Sequence, residues 1–368
     1  MPSLLPLLLP AAQAFCGTYL ASSDAALVNQ RSQVVLARQG TRTTLTLSPD
    51  YTGDPTEFAM LIPVPQVLEE GDVRTVDASV VARVAQFGAP RLVGYSCANL
   101  HGWDSGWGHY GGSDGDSSGG CGRGCGANSK DGSGDTGDSR RNTDTGADED
   151  GEAWDVAVES EFAVGSYEIV TLSADDAADL LGWLGDNGYV VSADAESMLQ
   201  DYLDQGVFFI AAKVSLDAAG AGEGLPPLQF AYESELLSLP MKLGTLNSPG
   251  EQDVLVHVLG DNGSGRAGIS NYPELALTDE CMWAEEAAET FTAFVERSFD
   301  ADFAAADAGA AWAVEHAWSP SSCDPCTGPT LDTSTLTELG YSGGDAFLTR
   351  LHVRTTPEAA GEDLTFYF

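Results

Sequence analysis

Between residues 101 and 151 the chain has almost no aliphatic side chains, and this gap constrains everything on either side of it. Sixteen of the 42 glycines fall there, among Asp, Ser and Thr. Such a stretch buries too little apolar surface to offset the entropy of ordering it, so it reads as a disordered surface insertion. A core must then come from the residues before and after it. Strand-like patterns occur on both sides, which predicts one α+β domain over 15–368, interrupted at 101–151 by this Gly/Ser/Asp-rich insertion.

The patterns are those of consecutive strands with a few helices. Residues 33–38 and 42–47 are β-favouring runs around Gln39-Gly40-Thr41, a hairpin signal. Residues 57–64 form an apolar strand closed by Pro63 and Pro65. Asp77 caps a short helix with Val80, Val81, Val84 and Phe87 on one face, ended by Gly88 and Pro90. After the insertion, 154–164 and 167–172 read as strands. Ser173 with Asp176 has capping-box spacing ahead of a helix burying Ala177, Leu180, Leu181 and Leu184, with Gly188 as its stop. A second helix carries Met198, Leu199, Tyr202 and Leu203 and ends at Gly206. Strands follow at 207–214, 228–232, 236–239 and 254–259. A further helix carries Ala287, Phe291, Phe294, Val295 and Phe299, and strands return at 311–318, 347–354 and 364–368. Strands in runs, without regular alternation with helices, predict an α+β fold: a largely antiparallel sheet with about four helices.

Charge narrows the partners. The chain has 56 acidic and 16 basic residues, a formal net charge of -40. The insertion holds ten acids and four bases, so it supplies only six of those charges and the folded parts are acidic too. This surface repels phosphate backbones and anionic lipid headgroups, which excludes nucleic acid as a partner. Solubility and adaptation to saline surroundings both account for the acidity. At the N-terminus, Leu4, Leu5, Leu7, Leu8 and Leu9 form a short apolar run followed by Ala12-Gln13-Ala14, a small-x-small pattern. This predicts a secretory signal peptide over 1–14, cleaved after Ala14, and hence an exported protein of the periplasm, cell envelope or extracellular space. No other stretch approaches the ~20 consecutive apolar residues of a transmembrane helix. In an oxidising compartment cysteines tend to pair. The disulfide candidates are Cys16, Cys97, Cys121, Cys125, Cys281, Cys323 and Cys326, an odd number whose connectivity spacing does not fix. Lipidation at Cys16 is not expected, because Phe15 stands where lipoprotein signals need a small residue.

A series of short segments resembles a family of exported bacterial proteins, domain-of-unknown-function family 2330. They are Ala14-Phe15-Cys16-Gly17, Phe58-Ala59-Met60 running into Pro63-Val64-Pro65, Ala89-Pro90-Arg91-Leu92-Val93, and Leu239-Pro240-Met241-Lys242-Leu243-Gly244. Val256-His257-Val258, Asn271-Tyr272-Pro273, Ser322-Cys323-Asp324-Pro325-Cys326, Leu348-Thr349-Arg350-Leu351-His352 and Gly361-Glu362-Asp363-Leu364 continue the series. The resemblance spans nearly the whole chain except the insertion. It implies export and a shared fold, and it carries no activity, substrate or catalytic residue.

Three constellations have chemical potential. Cys323-Asp324-Pro325-Cys326 has the C-x-P-C form of thiol–disulfide redox centres, where a helix N-terminus activates one thiol. Thr327-Gly328-Pro329 follows where that helix should begin, so a structural disulfide is expected. Cys97, His101, His109, Cys121 and Cys125 are zinc-type ligands, but their spacing matches no closed zinc site and glycine-rich chain makes closure costly. Asp144, Asp148, Asp150 and Gly151 suggest a calcium loop, yet Gly146 and Ala157 stand where an EF-hand needs its first Asp and closing Glu. The expectation is no cofactor and no dedicated metal site, with weak divalent-cation binding by the acidic insertion. His257, His316 and His352 each fall in a strand pattern and read as ordinary strand histidines. Without a nucleophile elbow, phosphate loop or dinucleotide fingerprint, the reading is a non-catalytic exported protein with a binding or structural role. The alternatives are an exported thiol–disulfide redox protein and a calcium-dependent binding module.

Overall fold

The structure is a computed structural model that describes residues 18–21, 28–29, 32–48, 51–52, 58–92, 154–189, 191–192, 195–214, 225–247, 250–277, 284–322 and 329–368. The predicted signal segment over 1–14, all seven cysteines and the predicted insertion at 101–151 lie outside these residues.

Two sheets pack face to face. The first has the order β1 (Thr18–Ala21), β6 (Phe58–Val64), β10 (Phe208–Val214), β9 (Tyr167–Ala174) and β8 (Val156–Val164). The second has seven strands: β15 (Ala310–Trp318), β16 (Ala346–Thr355), β13 (Gln252–Asp261), β3 (Ser32–Gln39), β4 (Arg42–Ser48), β11 (Leu228–Glu233) and β7 (Val73–Thr75). A small sheet joins β12 (Ser238–Leu239), β17 (Leu364–Tyr367) and β14 (Gly268–Ile269), and β2 (Val28–Asn29) pairs with β5 (Tyr51–Thr52). Pairing is antiparallel except for β13 with β3. The described helices are α1 (Ala78–Gly88), α2 (Ala177–Asp186), α3 (Ala195–Leu203), α4 (Ala284–Ala306) and the short α5 (Thr333–Glu338). The predicted α+β class with a largely antiparallel sheet is what the chain forms.

Strand alternation sorts the core into layers. Along β6, Met60, Ile62 and Val64 face the second sheet, while Ala59 and Leu61 face α2 and α3. Along β3, Val34 and Leu36 face the first sheet, while Val35 and Ala37 face α1 and α5. A strand buried on both faces reads as a continuous apolar run, which is why 58–64 carries no polar position. The result is helices, sheet, sheet, helices: α2 and α3 on one outside, α1, α4 and α5 on the other. Each large apolar side chain taken fully out of water there contributes roughly 1.5–3 kcal/mol. Strands from before and after the insertion share the seven-stranded sheet, since β3 and β4 lie between β13 and β11.

Local signals hold with some shifts. The β3–β4 hairpin closes with Gln39 opposite Arg42 and Gly40 at φ 61, a left-handed value that glycine adopts without strain. Asp77 caps α1 by accepting a hydrogen bond from the Ser79 backbone N–H at 2.8 Å. The cap of α2 is Asp176 itself, which accepts from the Ala178 and Asp179 backbones. Ser173 remains in β9 and donates to Glu159 at 2.7 Å, so the proposed capping box does not form. Pro63 does not close β6 but sits inside it, opposite Phe209 of β10.

Candidate functional site

Strands β13, β16 and β15 carry a row of charged and imidazole side chains on the outer face of the second sheet. In register across them stand His257, Arg350 and His316; one step along β16 comes His352 opposite Leu255 and Ala313, and then Arg354 opposite Asp253 and Ala311. A bulge between Val314 and His316 brings in Glu315. The sequence from 350 to 354 alternates polar with apolar, and period 2 sends Arg350, His352 and Arg354 one way and Leu351 and Val353 the other.

His352, Arg354, Asp253 and Glu315 bond to one another beneath α1 and α4, while the ring nitrogens of His257 and Nε2 of His316 are buried without a hydrogen bond. His352 Nδ1 donates to Glu315 Oε1 at 3.0 Å and Nε2 donates to Asp253 Oδ1 at 3.1 Å. Ionised carboxylates only accept, so both ring nitrogens must carry hydrogen and the ring is an imidazolium. Burial opposes that charge, but the bonds to Asp253 and Glu315 outweigh it and raise the His352 pKa. Arg354 grips Asp253 with Nε to Oδ1 at 2.7 Å and Nη2 to Oδ2 at 2.8 Å, and its Nη1 donates to Asp300 of α4 at 2.7 Å. Burial would raise the Asp253 pKa, yet His352 and Arg354 bring it down to about 2. Glu315 is likewise held below its usual value, with burial outweighed by His352 and Arg350. Arg350 Nε lies 2.7 Å from Glu315 Oε2, an ion pair off hydrogen-bond alignment. Its Nη1 donates to the Ala85 carbonyl at 3.0 Å, at the end of α1 where the helix dipole favours a cation.

Helix packing completes the arrangement. Phe299 of α4 stacks on His352 with ring centroids 3.7 Å apart, and the Arg354 guanidinium lies 5.0 Å from the Phe299 centroid and 5.5 Å from that of Phe303. Gly88 brings α1 against the network: a Cβ there would make ordinary van der Waals contact with Arg350 Cδ at 3.4 Å and His257 Cδ2 at 3.6 Å. His257 is fully buried, and burial followed by the Arg350 charge lowers its pKa to about 3. His316 meets Phe87 edge-on at 5.3 Å, and burial, Arg91 and Arg350 lower its pKa to about 4.

Beside this network lies a cavity of about 200 Å³. Its floor is Asp253, Leu255, Glu315, Arg350 and His352; α4 contributes Phe291, Thr292, Val295 and Glu296, and Ala89 and Pro90 close the side next to α1. Thr292 and Glu296 are exposed and mark the mouth. A second, open groove of about 410 Å³ lies at the far end of α4, between Glu251, Asp300, Phe303, Asp307 and Arg354.

The network can hold α4 on the sheet and give the cavity a rigid polar floor. Asp253, Glu315 and Asp300 balance His352, Arg350 and Arg354. While protonated, a form that its raised pKa favours, His352 donates from both nitrogens and has no lone pair to act as a base. Among the described residues no group of three His, Cys, Asp or Glu side chains is arranged to hold a metal ion. No described helix is long and apolar enough to cross a membrane.

The three histidines read as strand residues lie in β13, β15 and β16, but the sequence reading did not bring them together. Nor did it single out Asp253, Asp300, Glu315 or Arg354, and Arg350 stood only within a segment of the family resemblance. Alternating charge within a strand bounded by apolar runs was the available signal. The disulfide candidates Cys16, Cys97, Cys121, Cys125, Cys281, Cys323 and Cys326, the zinc-type set with His101 and His109, the acidic loop at Asp144, Asp148 and Asp150, and the cleavage point after Ala14 all fall outside the described residues.

A family model described as an uncharacterized protein conserved in bacteria, DUF2330, matches residues 10–367. No curated protein and no solved structure matches the chain. The match covers both sheets, all five described helices and the charged network beneath α4, and the chain therefore belongs to the DUF2330 family of uncharacterized proteins conserved in bacteria.

Proposed function

We propose that this protein is exported and serves a non-catalytic binding role in the cell envelope or its surroundings. The observation that carries the non-catalytic part is the mutual neutralisation of the charged groups around the α4 cavity. An active site keeps a base, acid or nucleophile poised for substrate. Here the histidine donates from both nitrogens and the two floor carboxylates are ionised against cations. What remains is a small, half-open space with a fixed polar floor, which suits recognition. The apolar run ahead of Ala14 supports export, and an oxidising destination supports pairing of Cys323 with Cys326.

Two measurements on one preparation test this reading. The full chain, expressed in a bacterium and fractionated, is expected outside the cytoplasm with Phe15 as its first residue; uncleaved protein confined to the cytoplasm would remove export. The mature protein is then assayed for disulfide reductase turnover. None is expected, and non-reducing peptide maps should show Cys323 and Cys326 oxidised. Turnover that disappears in Cys326→Ser would replace the binding role with thiol–disulfide chemistry.

A further inference from the structure

We propose that the cavity beneath α4 binds a small uncharged molecule, largely apolar and about one ring in size. This rests on the binding role above and names the class of ligand for that cavity. Phe291, Val295 and Phe299 stand four residues apart and form one apolar stripe along α4. Phe299 is buried against His352, whereas Phe291 and Val295 stay half-buried over the cavity. Leu255, Ala89 and Pro90 also line it, so the sheet and the end of α1 add apolar surface to that of α4. Its volume of about 200 Å³ lies below the ~300–1,000 Å³ of drug-sized sites and above the ~150 Å³ of an apolar cavity that takes up benzene. That is room for one substituted ring.

Charge balance in the lining disfavours an ionic head group of either sign. Asp253 is held by Arg354 and His352, and Glu315 by His352 and Arg350. The cations are engaged in turn: both His352 nitrogens donate to those carboxylates, and Arg350 Nη1 donates to the Ala85 carbonyl. Glu296 at the mouth has a partner of its own. A charged head group would therefore leave its water to meet ions that are already paired, and would have to displace one of them. A neutral ligand meets no such cost. The four charged side chains of the floor, Asp253, Glu315, Arg350 and His352, are also only 6–14% exposed, so most of what a ligand touches is apolar.

The test titrates the mature protein with benzyl alcohol, benzylamine and benzoate, three probes of one shape and different charge, followed by thermal shift and by NMR of α4 and β16 amides. Benzyl alcohol is expected to bind saturably and raise the melting temperature, with both charged probes at least tenfold weaker. Val295→Trp fills the cavity and should abolish the effect; if that variant does not fold, Thr292→Trp at the exposed mouth takes its place. Benzylamine or benzoate binding as tightly as the alcohol, and lost in the filled variant, would overturn the neutral ligand and leave the binding role standing. Alcohol binding unchanged in the filled variant would place it elsewhere on the protein and overturn the cavity site. No saturable binding by any probe would remove both the ligand class and the cavity site, while the non-catalytic reading is decided separately by the reductase assay.

Discussion

β13 and β16 have two faces built by alternate residues of the same segments, and the faces follow different rules. The inner face presents Val254, Val256, Val258, Leu351 and Val353 to the opposite sheet. The outer face presents Asp253, His257, Arg350, His352 and Arg354 to α1 and α4. Both are shielded from water, but the inner one needs only shape and apolarity, whereas the outer one needs every charge to meet its partner. Trimming a buried apolar side chain has a graded cost, while a buried charge left alone is severe.

The largest expected effect tests that difference. Asp253→Ala leaves Arg354 and His352 without their shared carboxylate and should destabilise by about 3–5 kcal/mol in a denaturant titration. Leu351→Ala on the inner face creates a cavity costing roughly 2–5 kcal/mol. Repair separates the two. Replacing the group together, as Asp253→Leu, His352→Phe and Arg354→Met, should recover most of the loss, because Glu315 keeps Arg350 and the carboxylate that loses its partner, Asp300, is 56% exposed and stays hydrated. A triple variant as unstable as Asp253→Ala would show that the charges themselves hold α4 in place.

The inner face was legible in the sequence and the outer one was not, for the same physical reason. Apolar runs such as 58–64 and 254–259 announce burial by composition alone, so strands, layers and helix faces could be assigned from period. Val80, Val81, Val84 and Phe87 were correctly placed on one face, and Asp77 was correctly given the cap of α1. The ionic network instead joins Asp253, Asp300, Glu315 and residues 350–354, brought together only by strand pairing and by α4 crossing the sheet. Each alone resembles a solvated residue. The capping box at Ser173 failed for a related reason: β9 extends to Ala174, so Ser173 is taken into the sheet before the helix can use it.

Acid sharpens the contrast, because the outer face titrates and the inner one does not. His257 has a folded pKa of about 3 and His316 one of about 4, against an ordinary 6.5. The unfolded chain therefore takes up these protons first, and stability falls as pH drops from about 6.5 toward those values. His352 works in the opposite sense: its contribution is complete below about 6.5 and is lost as pH rises through its raised folded pKa. Asp253 contributes above 3.8 and loses its contribution as pH falls to about 2. The charged or titratable neighbours of His257 are Arg350 on β16 and Glu315 and His316 on β15; α1 brings Gly88 against it. His257→Leu should therefore flatten the acid limb of the melting profile, removing on the order of 3 kcal/mol of the loss between pH 6.5 and 4. An unchanged slope would mean that other groups carry the acid response.

The smallest expected effect comes from repeating the outer face's best bond in water. Arg266 reaches Glu274 with Nη1 to Oε1 at 2.7 Å and Nη2 to Oε2 at 3.0 Å, a two-pronged pair like that of Arg354 with Asp253. Its side chains are 45% and 37% exposed, where both members of the Arg354–Asp253 pair are 10% exposed. Solvent screens the exposed pair, and water takes the place of whichever member is removed. Glu274→Gln should therefore cost no more than about 1 kcal/mol, and that cost should shrink further in ~0.5 M NaCl. Removing Asp253 should stay costly at the same salt, because ions cannot reach the charges it leaves behind. Equal losses at the two sites would show that bond geometry rather than burial sets the energy of these pairs, and the distinction between the two faces of the sheet would then have to rest on packing alone.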